Sequence, residues 1–334
     1  MVCILSLCSA GTAVSCGKER PGAQQREGVV LQVVNVGVCI TDGSVPLRHP
    51  RWSPDGSAIA AVSSDNNSLW LLRPDGSGLR KLTEALGVGS AFCWCDSSRL
   101  IAYRSVQYVG AKRILSLQVL DVKAGAARSL LETSLSLSPP VCCSTSRRIA
   151  VAIGDSVVFF GVRADRGGIA VESPPGQTSS RRGPACTMLL PVAKGLRIGR
   201  EDLSGLVISE WPLTAPVLNA SLSPGGRYVA VETLGSDTLR ILDLERREGH
   251  PLGRGHDPVW SPRGDLIAWV ESTENGLRIQ QSDLVLYHVP SKITYRLTST
   301  QDQIERDPCW APDGRRLVYV DEASGRLQLA ELAH

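Results

Sequence analysis

His49-Pro50-Arg51-Trp52-Ser53-Pro54-Asp55-Gly56 is the stretch on which the reading turns, because it comes back further along the chain. It returns as Asp257-Pro258-Val259-Trp260-Ser261-Pro262-Arg263-Gly264 and as Asp307-Pro308-Cys309-Trp310-Ala311-Pro312-Asp313-Gly314. In the first copy Pro54 pre-sets φ for the second position of a tight turn, Asp55 tolerates the third and Gly56 supplies a positive φ. An apolar run follows each copy: Ala58 to Val62, Leu266 to Val270, Leu317 to Val320. Apolar residues on consecutive positions mark a strand covered on both faces. An amphipathic helix needs a longer periodic pattern, and none is present.

Working outward, the first unit continues with a strand at Ser68 to Leu72, a turn at Arg73 to Gly78 and a strand at Leu79 to Thr83. Four strands thus fit in about forty residues. Each unit is anchored by the Trp position and an apolar residue seven later: Trp52 with Ile59, Trp94 with Ile101, Cys142 with Ile149, Leu222 with Val229, Trp260 with Ile267 and Trp310 with Leu317. Successive anchors lie 42, 48, 80, 38 and 50 residues apart by subtraction. The interval of 80 is one unit too long, and a decayed unit around Pro184-Ala185-Cys186, continuing through Met188 to Val192, divides it. The expectation is an all-β chain, a β-propeller of four-stranded antiparallel blades, with seven blades and six or eight as alternatives. After Trp310 there is room for two further strands but not three, so Val29 to Val38 is expected to close the last blade from the N-terminal side.

The Trp-Ser-Pro-Asp-Gly turn, the Leu-Trp-Leu-Leu-Arg-Pro-Asp-Gly strand and turn, and the Arg-Lys-Leu-Thr ending resemble the repeats of TolB-like, WD-repeat-like propellers. The resemblance covers most of residues 29 to 332, strongly at Trp52, Trp260 and Trp310 and weakly at Cys142 and Cys186. It implies a fold rather than an activity, since the group includes the periplasmic Tol-Pal protein, propeller lipoproteins and the propeller domains of prolyl-oligopeptidase-type enzymes. The hydrolase domain of those enzymes, with its Gly-x-Ser-x-Gly elbow, is not expected here. Phosphate-loop and dinucleotide motifs are absent, and no cofactor is expected.

Thirty-six Lys and Arg against 33 Asp and Glu give a net charge of +3, which singles out neither nucleic acid nor a membrane surface as partner. Residues 1–16 read as an export signal, although they lack the basic start such a signal should have. Ala13-Val14-Ser15-Cys16 resembles a bacterial lipobox, which makes Cys16 the candidate lipidation site and the chain an exported periplasmic or outer-membrane lipoprotein. Residues 17–28 read as a polar tether and 29–334 as one propeller domain. The mature chain would keep seven cysteines, Cys39, Cys93, Cys95, Cys142, Cys143, Cys186 and Cys309, an odd number. Their spacing does not match a zinc site, and they are expected mostly as small buried hydrophobes.

The residues just before each Pro-x-Trp lead into the innermost strand. Arg48 and His49, His256 and Asp257, and Arg306 and Asp307 are therefore expected at the mouth of the central channel, as a binding site for an envelope protein or peptide. Asp257 and Asp307 have a second expected role, bridging neighbouring blades. The alternative is an enzyme with its site at that mouth, either glycan-active or a metal-dependent lyase using His49 and His256. Oligogalacturonate lyases with a similar propeller use histidines in this way, but only five His are present here, so no metal site is expected.

Overall fold

The computed structural model describes residues 32–333, apart from 90, 144–147, 155, 166–167, 173–185, 193–194, 203–204, 275–278 and 302. The expected export signal, Cys16, the tether and the start of the propeller domain lie outside the described residues.

The chain folds into antiparallel sheets that follow one another in sequence, and among the described residues there are seven. β1 (Gln32–Cys39) comes first and joins the last of them. Blade 1 is β2 (Leu47–Trp52), β3 (Ile59–Ser63), β4 (Ser68–Leu72) and β5 (Arg80–Glu84). Blade 2 is β6 (Phe92–Cys95), β7 (Leu100–Val109), β8 (Lys112–Asp121) and β9 (Ala126–Thr133). Blade 3 is β10 (Val141–Cys143), β11 (Arg148–Ile153), β12 (Ser156–Asp165) and β13 (Gly168–Glu172). Blade 4 shows β14 (Cys186–Val192), β15 (Gly195–Asp202) and β16 (Gly205–Pro212). Blade 5 is β17 (Val217–Leu222), β18 (Tyr228–Thr233), β19 (Thr238–Asp243) and β20 (Glu248–Arg254). Blade 6 is β21 (His256–Trp260), β22 (Leu266–Glu274), β23 (Ile279–His288) and β24 (Ile293–Arg296). Blade 7 is β25 (Glu305–Trp310), β26 (Arg316–Asp321) and β27 (Arg326–Ala333), with β1 outermost beside β27. The N-terminal strand therefore does complete the blade built from the C-terminal segment.

The second strand of each blade explains why the apolar residues run consecutively. β3, β18 and β26 are buried along most of their length because each face packs against a different neighbouring blade. In blade 2 the division is explicit: Leu100 and Ala102 belong to the core shared with Ile149 and Val151 of blade 3. Ile101 and Tyr103 belong to the core shared with Ala60 and Val62 of blade 1. The interface between blades 7 and 1 has the same character, with Val318 and Ala311 against Leu47 and Trp52. Hydrophobic burial thus lies between blades, which is why one blade cannot stand alone.

The repeat turn forms as its residues dictate. Gly56, Gly226, Gly264 and Gly314 have φ of 72°, 71°, 74° and 68°. Ser53 Oγ donates to Asp55 Oδ1 at 2.7 Å and accepts from Ala58 N at 3.0 Å, closing the hairpin from inside. The turns also touch their neighbours: a Cβ on Gly56 would come 3.2 Å from Pro312 Cγ of blade 7.

In blade 2 the repeat turn lacks Pro and Gly, and its place is taken by a single helical turn, α1 (Asp96–Arg99). In blade 4 Cys186 opens β14 opposite Glu201, and the residue that stands opposite its partner seven positions on is Leu190, facing Arg197, so the unit lacks the apolar pair that marks the other blades.

Candidate functional site

The first strands of blades 7, 1, 5 and 6 each carry a polar residue three positions before the anchor. These are Asp307, His49, Asn219 and Asp257. His49, Asp257 and Asp307 precede a proline and share a left-handed backbone, with φ of 51°, 53° and 52°. A bulge falls at this place in β2, β21 and β25, between Arg48 and Arg51, His256 and Val259, and Arg306 and Cys309. Bulges of this kind re-aim side chains that a regular pleat would point elsewhere.

These residues surround a cavity of about 320 Å³, lined by Arg48, His49, Asp257, Arg306 and Asp307 together with Asn219, Val320 and Glu322. Five of the six expected mouth residues therefore share one site. His256 does not line it; its Nδ1 lies 2.8 Å from Glu232 Oε1 of blade 5 instead. Asn219 and Glu322 were missed. Asn219 was within reach of the sequence, since it occupies the His49 position of a recognised repeat. Glu322 follows β26 and carried no motif.

The site is wired from blade to blade. His49 donates its backbone N–H to Asp307 Oδ2 at 3.1 Å, and its Nδ1 lies 2.9 Å from Asp307 Oδ1. Asn219 Nδ2 donates to Asp257 Oδ1 and to Glu232 Oε2, both at 2.8 Å. Glu232 also accepts the backbone N–H of Asp257 at 3.1 Å. Glu322 joins the two arginines, accepting Arg48 Nη2 at 3.2 Å and Arg306 Nε at 3.1 Å. Asp257 and Asp307 are thus both interblade bridges and walls of the cavity.

Equivalent aspartates have opposite electrostatics. Burial pushes the Asp257 carboxyl up, and the charges of Asp307 and Glu232 add to that. Burial acts on Asp307 too, but hydrogen bonds and charge from His49 outweigh it and hold this carboxyl below its usual range. The hydrogen bond to Glu232 raises the imidazole of His256. For Glu232 burial is the largest influence, opposed and exceeded by hydrogen bonds from His256, Asn219 and the Asp257 N–H, so its carboxyl is lowered. Each histidine therefore has one ring nitrogen committed to a carboxylate, which reduces what either could offer to a metal. The mouth presents anchored cations and anions side by side, an arrangement suited to polar recognition.

Sequential antiparallel sheets, the last completed by pairing of the N-terminal strand with the C-terminal one, define the class: this chain is a β-propeller. No protein-family model matches it. In fold it is similar to the propeller domain of Cps50 (Swd1) from Myceliophteria thermophila, with 13% identity and a TM-score of 0.54 over 91% of this chain and 100% of that one. It is also similar to a chain of the mitotic checkpoint complex, with 12% identity and a TM-score of 0.54 over 97% and 99%. In sequence it is 32% identical over 98 residues to the Tol-Pal system protein TolB of Hydrogenovibrio crunogenus, a match spanning 28% of this chain and 21% of that protein. It is 27% identical over 150 residues to dipeptidyl-peptidase 5 of Aspergillus fumigatus, spanning 37% and 20%. The chain covers about a fifth of the length of each of these curated relatives.

Proposed function

We propose that this chain is a non-catalytic binding propeller of the bacterial cell envelope, which receives a polar, charge-bearing segment of a partner protein at the channel mouth. The observation that carries the reading is the cavity in which Arg48, His49, Asp257, Arg306 and Asp307 converge on a bulged, interbonded backbone. Groups held this way lose little freedom on binding, so their interactions are not spent on ordering the site. Mixed charge also favours selectivity over raw strength, because a segment with the wrong order of charges meets like charge. Support for the envelope comes from the lipobox-like run ending at Cys16 and from the partial similarity to TolB.

The test is capture from envelope extracts by the full chain, in parallel with Arg48→Glu and Arg306→Glu variants. A partner should be retained by the parent, lost from both variants, and released as salt is raised toward 1 M, where the screening length falls to about 3 Å. Equal recovery by parent and charge-reversed variants would remove the mouth from the interaction.

A further inference from the structure

Cys93, Cys95 and Cys142 come together between blades 2 and 3, and we infer that they form a trithiolate site for one soft monovalent metal ion, Cu(I). Cys93 and Cys95 are two residues apart on β6, so the pleat puts both side chains on one face of blade 2. That face packs against blade 3, whose first strand, β10, brings Cys142 to meet them. The three sulfurs all lie within 4.8 Å of one another. The Cα atoms of Cys142 and its two counterparts are 6.1 and 5.5 Å apart, so the backbones already stand close enough.

Cys142 Sγ is placed against both other sulfurs, but a divalent sulfur can form a disulfide with one of them at a time. A metal ion uses all three together. A metal–sulfur bond of about 2.3 Å sets the sulfurs of a trigonal complex about 4 Å apart, below the 4.8 Å that bounds the three; the contacts of Cys142 with Cys93 and Cys95, which stand at disulfide distance, must be reduced and open to that spacing before an ion enters.

The donor set chooses the ion. Among the described residues the group contains sulfur ligands and neither His nor carboxylate, and thiolates favour soft ions. Zinc in a protein-bound structural site takes four ligands, one more than the described residues of this group supply. On their inner side the surroundings are apolar, Leu100, Ala102, Leu117, Ile149 and Val151 belonging to the same cluster, with Cys95 buried and Cys93 and Cys142 half-buried. Monovalent copper is satisfied by three thiolates alone.

The complex would carry a net negative charge, and a cation stands on the same face. Tyr103 pairs with Phe92 and Ala102 with Cys93, so Arg104 falls on the cysteine side of blade 2, next to Ala102. Its Nη1 donates to Leu137 O at 2.7 Å, and its Nε is buried without a hydrogen-bond partner. A guanidinium fixed there favours thiolates over thiols. Binding displaces one proton from each thiol, with no change of oxidation state, so affinity should rise with pH.

The experiment is a competition for Cu(I) between the full chain, reduced under anaerobic conditions, and a chromophoric Cu(I) chelator. The expected result is one equivalent of copper withheld from the chelator, with a sulfur-to-copper absorption in the near ultraviolet. Cys142→Ser, Cys93→Ser and Cys95→Ser should each weaken retention at least about 100-fold, and Arg104→Gln about tenfold, the scale of outer-shell effects. A Cys39→Ser, Cys309→Ser double variant should bind as the parent does. Thermal melts of the apo-proteins confirm that each variant is folded; for any that is not, the remaining single variants carry the comparison. No copper withheld by the folded parent, undiminished retention by a folded Cys142→Ser chain, or preference for zinc in the same competition would overturn the assignment. So would a Cys142 disulfide that survives reductant in the folded protein.

Discussion

A residue that precedes proline is pushed toward extended backbone, yet His49, Asp257 and Asp307 each precede one and are left-handed. Sparsely populated backbone of this kind costs of order 1–3 kcal/mol per residue, and it persists where surrounding bonds over-determine it. Here Asp307 accepts the His49 N–H, and Glu232 accepts the Asp257 N–H. Asn219, at the same repeat position but followed by alanine, lacks the left-handed φ. Removing the acceptor should therefore cost more than a surface carboxylate would. Asp307→Ala is expected to lose about 2 kcal/mol of stability, as for a hydrogen bond to a charged group, read from urea denaturation. A loss within the error of the parent would show that the bridge between blades 7 and 1 holds nothing in place.

Between elements, the interface of blades 6 and 7 holds an ionisable group where one is least expected. Glu305, at the start of β25, is fully buried. It accepts Leu284 N at 3.0 Å, Thr300 Oγ1 at 3.2 Å and a short hydrogen bond from Thr298 Oγ1. Burial is the largest influence and pushes its carboxyl up to about 7; Asp283 adds to this, against the lowering effect of those hydrogen bonds. Between about pH 4.5 and 7 the unfolded chain gives up this proton while the folded chain keeps it. Stability contributed by the neutral form is therefore complete below that window and falls as pH rises through it, by about 3 kcal/mol in all. Glu305→Gln should abolish this part of the pH dependence, and denaturation midpoints at pH 5 and pH 8 would show it. An unchanged slope in the variant would place the titration elsewhere.

How far the elements could be read in advance depended on whether their turns kept Pro and Gly. Blades 1, 6 and 7 have Trp52, Trp260 and Trp310, all buried as core residues, and their register followed directly. Blade 4 has no such residue, and Cys186, the position read as its repeat unit, stands at the start of β14 opposite Glu201. That Arg48, His49, Asp257, Arg306 and Asp307 gather around one cavity was legible because repeat symmetry carries one position from blade to blade; the cysteine cluster was not. Cys95 and Cys142 are 47 residues apart, and what joins them is the packing of two blades rather than any local spacing.

For the whole molecule, location in the cell turns on the N-terminal segment. The chain's small net charge gives no general attraction to nucleic acid or to anionic lipid. If Cys16 is an acylation site, membrane attachment resides in that residue. Cys16→Ser should abolish fatty-acid labelling and move the protein from the membrane to the soluble envelope fraction. Labelling that survives the substitution would sink the lipoprotein reading while leaving the channel mouth untouched.

The pairing of β1 with β27 also sets how the ring answers to force. Gln32 at the beginning of β1 lies opposite Ala333 at the end of β27, so the two flanking chain directions leave from the same corner of blade 7. Tension between them loads the hydrogen bonds of this pair one after another, as in a zipper, and not all at once in shear. The closure that protects the molecule from spreading open is thus also its weakest mechanical seam, and a partner that pulls on both flanks would open blade 7 before any other.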